Sequence, residues 1–401
     1  MGAENHAPVV VTSTPSRPLR IGIVAGEPSG DQLGADLITA LRARHPQVII
    51  DALAGPRMRD AGCIEVAAID ELSVMGIVEV LKHYPRLRRL RQRITEYYLS
   101  FPPDVFVGID VPDFVLYVES RLKRAGIPTL HYVCPQVWAW RQSRISAIKR
   151  ATDCVLALFP FEIPFLARHG VQARFVGHPL ADRIPMEIDR ESARARLGIT
   201  PGGPLVALMP GSRRQELIRH LPLFLATADL IARKYPDALF VIGVISSSAA
   251  AVVTDYRKRV PSTTRVEVVI QRSRDTLMAA DVALCVSGTI TLEAALTKTP
   301  LVVAYQMPRI TFEVLRRLVK TRWIALPNIL AERELVPEFI QSAASPSNLA
   351  QRMLRWLAAQ DEVQAYRSDC RALHQTLRND AGGAAATAVL DYARARRDSS
   401  A

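Results

Sequence analysis

No apolar run in this sequence reaches the ~18 residues that a membrane-spanning helix needs. Cysteine is sparse: Cys63, Cys134, Cys154, Cys285 and Cys370 are scattered, with no C-x-x-C pair. Such a set reads as reduced thiols of a cytoplasmic protein, not as a zinc site or a disulfide framework. No D-x-D occurs, so the carboxylate pair that chelates a metal on a nucleotide-sugar diphosphate is absent. H-E-x-x-H and G-x-S-x-G are absent too, which removes the usual zinc-protease and serine-hydrolase signatures. The N-terminus has no cationic start followed by a long apolar stretch, so no secretion signal is expected. His6 stands where a myristoylation motif wants Ser or Thr. Residues 1–18, rich in Pro, Ser and Thr, read as a disordered tail.

What is present is ordinary globular composition, 49% hydrophobic and 22% charged over 401 residues. That length suits about two or three domains. The net charge of +12 favours anionic partners without choosing among nucleic acid, lipid and phosphorylated substrates.

Short apolar runs alternate with amphipathic ones. Strands are expected at 19–24, 48–53, 105–109, 129–133 and 154–157, with helical stretches such as 35–44 and 114–125 between them. The alternation breaks at the polar stretch 182–203, where Pro and Gly collect. It then restarts with strands at 205–209, 239–244, 266–269, 282–286 and 301–304. The expected fold is α/β, with two Rossmann-like doubly wound domains facing a central cleft. The expected boundaries are 19–184 and 185–345, with helices over 346–397 packing back toward the first domain. Ligands of such sheets sit beyond the C-terminal ends of the strands.

The first strand runs into "AGEPSGDQLGADL". Its glycines are four apart, which is neither G-x-G-x-x-G nor a Walker A loop, and Glu27 and Asp31 would repel a diphosphate. Two readings remain: a tight strand-to-helix turn capped by Ser29 or Asp31, or a loop facing a substrate. In "FVGIDVPDF", Asp110 follows a strand directly and is a candidate general base. Asp113, beside Pro112, suits the N-terminus of a helix. "HYVCPQVWAWRQSRI" puts Trp138, Trp140 and Arg141 after another strand, as core or as cleft lining.

In the second half, "LVALMPGSRRQEL" carries Gly211, Ser212 and Arg213 between a strand and a helix. Free N–H groups there, beside Arg213, make a candidate anion site. "CVSGTITLEAAL" repeats the arrangement with Ser287, Gly288 and Thr289, and places Glu293 one turn into the helix. Asn328 in "LPNIL" offers a side-chain amide. Without a metal, Arg and helix N-termini would have to stabilise a leaving diphosphate.

"SVMGIVEVLKHYPRLRRLRQRITEYY" differs in kind. Met75, Ile77, Val78 and Leu81 form an apolar patch, Pro85 is expected to break the helix, and Arg86, Arg88 and Arg89 belong to a basic run with no acid. The combination suits an anionic membrane surface, at about 1 kcal/mol per basic residue. A solvated basic helix over a core-facing stripe is the other reading. Nucleic acid is not expected, because no aromatics for base stacking accompany the arginines.

Taken in order, these motifs together with "LFPFEIPFL" and "FVGHPLAD" resemble lipid-A-disaccharide synthase, a family of inverting glycosyltransferases with the GT-B fold. The resemblance spans residues 19–378. It implies transfer from UDP-2,3-diacylglucosamine to 2,3-diacylglucosamine 1-phosphate (lipid X), giving a β-linked disaccharide and UDP. It implies no metal or other cofactor, and work as a peripheral protein on the inner face of the cytoplasmic membrane. Asp110 falls on the family's proposed base, and Arg213, Glu293 and Asn328 on its UDP-binding positions. The opening loop then reads as an acceptor-side wall, with Glu27, Ser29, Gly30 and Asp31 facing the transfer centre and Ser29 and Gly30 nearest it. Departures are Gln136 and Cys134, each where the family commonly has Ser, and the longer N-terminal tail. Other GT-B enzymes using UDP-GlcNAc, an epimerase or a peptidoglycan-type transferase, are the alternative, and a non-catalytic basic scaffold a third. Acyl-chain length and oligomeric state, a homodimer among the options, are not readable from the chain.

Overall fold

The computed structural model describes residues 17–72, 77–200, 202–260, 262–319 and 321–400, without the side chains of 77–84 and 400. Strands of the first sheet are β1 (Arg20–Ala25), β2 (Ile49–Ala54), β3 (Ile64–Ala68), β4 (Val105–Ile109), β5 (Thr129–Tyr132), β6 (Cys154–Ala157) and β7 (Ala173–Phe175). Those of the second are β8 (Leu205–Met209), β9 (Leu239–Val244), β10 (Val266–Ile270), β11 (Val282–Cys285), β12 (Leu301–Tyr305) and β13 (Glu338–Ile340). The orders are β3-β2-β1-β4-β5-β6-β7 and β10-β9-β8-β11-β12-β13. Every recorded pairing is parallel. Each sheet therefore needs helices on both faces, and β4 and β8, one in each sheet, are apolar throughout. β4 and β8 are buried at every position.

Packing divides the chain into two compact units, 1–135 with 146–156 and 385–401, and 136–145 with 157–384. Along the sequence, segments of the two units alternate, where a single boundary near residue 185 is the sequence expectation. Helices Pro346–Ala358 and Gln360–Leu377 lie within the second unit, which differs from the expectation that 346–397 packs back as a block. Their apolar stripe explains this. Met353, Trp356, Tyr366 and Cys370 join the second core. Trp356 Nε1 donates to the Leu301 carbonyl at 3.3 Å, and the Tyr366 hydroxyl to that of Thr299 at 2.9 Å. Only the last helix, Ala381–Ser400, enters the first unit, from residue 385 onward. There Asp104 accepts from Arg397 at 2.9 Å and from the Arg20 backbone at 2.8 Å.

The first core gathers Leu90, Ile94 and Tyr98 from helix Ile77–Ser100 and Val115, Val118 and Leu122 from helix Pro112–Arg124. Tyr98 donates to the Asp51 carbonyl at 2.8 Å. Its ring occupies the space a side chain at Gly22 would need, since a Cβ there would lie 2.6 Å from Tyr98 Cε1. Pro85 sits inside the helix Ile77–Ser100 and does not end it. Met75 lies outside the described residues, as do the side chains of Ile77, Val78 and Leu81. Arg86, Arg88 and Arg89 are exposed.

Candidate active-site residues in each unit

In both sheets the strand order reverses beside the sheet's first strand in sequence, between β1 and β4 and between β8 and β11. These switch points open a crevice at the strand ends, where doubly wound sheets hold ligands. The residues following those four strands are the candidate site residues.

In the first unit, β1 and β4 pair up to Ala25 and Ile109. Asp110 follows at once, half-buried, its N–H donating to the Tyr132 carbonyl at 3.0 Å. Asp110 and Val111 both adopt left-handed backbone, with φ of 55° and 43°. A β-branched residue there is strained by about 1–3 kcal/mol. The turn places Asp110 just past the strand end. It also drives Val111 against the opening loop, where a Cβ on Gly26 would lie 2.4 Å from Val111 Cγ2. Gly26 is therefore required by close packing.

The rest of the opening loop divides. Glu27 and Ser29 are exposed at the start of helix Pro28–Arg44, and Gly30 is buried against Ala25 and Ile109. Asp31 is placed differently from the expected substrate-facing acid. It is 3% exposed, and its carboxylate accepts from the backbone N–H of Gly55, Arg57 and Met58 at 2.9, 3.0 and 3.1 Å. Asp31 thus caps the short helix Pro56–Asp60, and the helix it stands on begins with Pro28 behind Glu27. Asp113 is exposed in the first turn of helix Pro112–Arg124, where the helix dipole favours a carboxylate.

Sequence reading missed a buried pair behind Asp110. His131 Nδ1 lies 2.9 Å from Glu119 Oε1, and both side chains are fully buried. Gly108 makes room for them, since a Cβ there would lie 2.0 Å from Val115 and 2.3 Å from Glu119 Oε1. Burial opposes charge on His131, yet the Glu119 carboxylate, with a smaller push from Asp110, raises its pKa above the ordinary imidazole value. Among the described residues, His131 Nε2 has no hydrogen-bond partner. The signal was the Glu119 carboxylate in a helix whose other inward positions are apolar.

In the second unit, Trp138 packs edge-to-face on Phe161 at 5.0 Å and donates to Glu162 at 3.2 Å. Trp140 is half-buried, with the Arg141 guanidinium 4.3 Å from its ring centre.

The second unit's switch point holds a cavity of about 560 Å³. Gly211, Ser212, Arg213, Ser287, Gly288, Thr289 and Glu293 all line it, with Glu216. Gly211 has φ 125°, and a Cβ there would lie 2.6 Å from Glu216 Cβ. The loop folds back because Glu216 accepts from the Arg213 N–H at 3.3 Å. The Arg213 side chain is 85% exposed, 3.5 Å from Glu216. Helix Thr289–Leu296 starts behind Gly288 with no side-chain cap, so its first N–H groups face the cavity. Burial raises the Glu293 pKa, and Arg274 at 3.5 Å opposes the rise. Ser287 is turned elsewhere: its hydroxyl donates to the Ile324 carbonyl at 2.8 Å.

Asn328 corrects the sequence reading. It is fully buried, and its amide is saturated within the protein. Nδ2 donates to the Val336 carbonyl and Glu338 Oε1, both at 2.8 Å, while Oδ1 accepts from the N–H of Leu335 and Val336 at 2.7 and 2.8 Å. No group is left for a nucleotide. Glu338 in turn accepts from the N–H of Ile324 and Ala325 at 3.0 and 2.9 Å. Asn328 and Glu338 therefore hold the segment that Ser287 bonds. Among the described residues no His, Cys, Asp and Glu side chains gather into a metal-binding group, and no helix is long and apolar enough to cross a membrane.

A family model described as lipid-A-disaccharide synthetase matches residues 21–391. The chain is 47% identical over 374 residues to the lipid-A-disaccharide synthase of Alkalilimnicola ehrlichii, covering 93% of this chain and 98% of that protein. It is 45% identical over 381 residues to that of Pectobacterium carotovorum, covering 95% and 100%. Among solved structures, UDP-GlcNAc 2-epimerase from Neisseria meningitidis, bound to UDP-GlcNAc, superposes with a TM-score of 0.62 at 13% identity over 93% of this chain and 98% of that one. The calicheamicin glycosyltransferase CalG4 gives 0.58 at 18% identity over 94% and 98%. These likenesses carry the fold, the paired Rossmann-like sheets of GT-B proteins.

Proposed function

The chain belongs to the lipid-A-disaccharide synthase family, and from that premise we propose a division of labour between its two units. The protein is a glycosyltransferase that forms the lipid A disaccharide. Its donor is UDP-2,3-diacylglucosamine and its acceptor 2,3-diacylglucosamine 1-phosphate. The acceptor's primary hydroxyl attacks the anomeric carbon opposite the diphosphate. A carbon–oxygen bond forms as the bond to the diphosphate oxygen breaks, UDP departs with the electron pair, and the linkage is β. Asp110 takes the hydroxyl proton as general base. Glu27, Ser29 and Gly30 border the acceptor side.

The second unit's cavity takes UDP. N–H groups at Gly211–Arg213 and Gly288–Thr289, with the Arg213 guanidinium, stabilise the leaving diphosphate without a divalent cation. Glu293 accepts from the ribose. The observation that carries this reading is the placement of Asp110 at one switch point and of the uncapped amides and Arg213 at the other. The exposed Arg86, Arg88 and Arg89 support contact with the anionic inner face of the cytoplasmic membrane.

Incubation with both acylated substrates and EDTA tests the reaction. The expected outcome is β-linked disaccharide and UDP in equal amounts. No disaccharide from this mixture, with epimerisation of UDP-GlcNAc supplied alone in a parallel incubation, would refute it.

A further inference from the structure

Helix Arg309–Leu318, "RITFEVLRRL", has no buried residue. Ile310, Val314 and Leu318 recur every four residues and so lie on one side of it. They are 82%, 53% and 53% exposed, and Ile310 is the most exposed large hydrophobic side chain among the described residues. Phe312, Leu315 and Val319 are half-buried on the opposite side, so the stripe is left over after the helix has packed. A contiguous apolar stripe in water marks an interaction surface.

Charge identifies what covers it. The single acid of the helix, Glu313, pairs with Arg316 at 2.9 Å. Arg309, Arg317 and Arg322 are also exposed, and the sequence adds Lys320. Arg322 lies 4.7 Å from the ring centre of Trp323, an amphipathic residue that favours the boundary between headgroup and acyl chain. Exposed aliphatics flanked by arginines and a tryptophan fit a bilayer surface carrying negative headgroups.

We propose that helix Arg309–Leu318 is a lipid-docking element of the second unit, which lays Ile310, Val314 and Leu318 into the headgroup region of an anionic bilayer. It is separate from the basic run at 86–93, which belongs to the first unit. The segment after the helix ends at Ile324, whose carbonyl takes the Ser287 hydroxyl at the cavity wall. Docking therefore brings the donor cavity to the lipid surface, a consequence that rests on the acylated donor proposed above. The docking itself does not.

Co-sedimentation of the full chain with sucrose-loaded vesicles tests it, using phosphatidylcholine alone or mixed with phosphatidylglycerol. The variant I310S/V314S/L318S should partition onto the mixed vesicles at least about tenfold more weakly, and R317E/R322E should fall similarly. Ile310→Ser alone, at the most exposed site, guards against misfolding and should show a smaller loss of the same sign. A UDP-induced rise in Tm equal to that of the parent shows that the fold is kept. Unchanged partition of the folded triple variant would overturn the proposal. So would loss of self-association on sedimentation with vesicle binding intact, which would assign the stripe to a second copy. Disaccharide synthesis from detergent-dispersed substrates should persist in the variant, so a docking failure is distinguishable from an error in the assigned reaction.

Discussion

Replacing Asn328 by Ala separates a nucleotide ligand from a scaffold residue. The side chain makes four hydrogen bonds of 2.7–2.8 Å, all within the protein and all around a buried amide. At about 1 kcal/mol net each, their loss costs about 4 kcal/mol, and the stranded N–H groups of Leu335 and Val336 push the figure upward. Glu338 loses a donor but keeps the N–H groups of Ile324 and Ala325, so the segment that Ser287 bonds stays anchored. Urea denaturation should therefore show a loss of about 4 kcal/mol. Calorimetric titration of the protein that remains folded should show UDP affinity close to that of the parent. A stability loss below about 1 kcal/mol, the worth of one such bond, combined with a collapse of UDP affinity would refute the scaffold assignment.

Arg213→Ala has the opposite profile: at 85% exposure its removal should leave stability within about 0.5 kcal/mol, while the loss of a charged hydrogen bond to diphosphate weakens UDP binding by about 1.5–3 kcal/mol in titration. Unchanged UDP affinity would remove Arg213 from the anion site. His178 is an acid-sensitive point. Its Nδ1 accepts from the Leu180 N–H at 3.1 Å, and burial lowers its pKa from 6.5 to about 4. The unfolded chain therefore binds the extra proton first: the stabilisation is complete above about pH 6.5 and is lost as pH falls toward 4, about 3 kcal/mol in all. Urea midpoints across that range should fall less steeply in His178→Asn, and an equal slope in the variant would refute the assignment.

The interior of each sheet was legible because buried parallel strands are short, apolar and bounded by turn residues. The strands over 105–109, 154–157, 205–209 and 239–244 have the limits read from the sequence. The strands that escaped, β3, β7 and β13, lie at sheet edges, where half-exposed positions carry no continuous apolar run. Pro85 misled because a proline can occupy a long helix whose packing compensates for one missing hydrogen bond. The places of the candidate residues at strand ends were legible wherever the backbone set them: Asp110 after β4, Gly211 after β8 and Gly288 after β11. Side-chain direction was not. Asp31 and Asn328 both turn inward to backbone amides outside their own motifs, Asp31 to the sequence-distant Gly55–Met58 and Asn328 to Leu335–Val336 beyond the end of its helix. Nothing local in "GDQ" or "PNI" encodes those partners.

The central claim is that Asp110 moves the proton while UDP is held by the other unit. Turnover and UDP affinity of Asp110→Asn, measured on the same preparation, test it most directly. The account predicts turnover about 100- to 10,000-fold lower with UDP affinity unchanged. Near-parental turnover, or a parallel loss of UDP affinity, would contradict it.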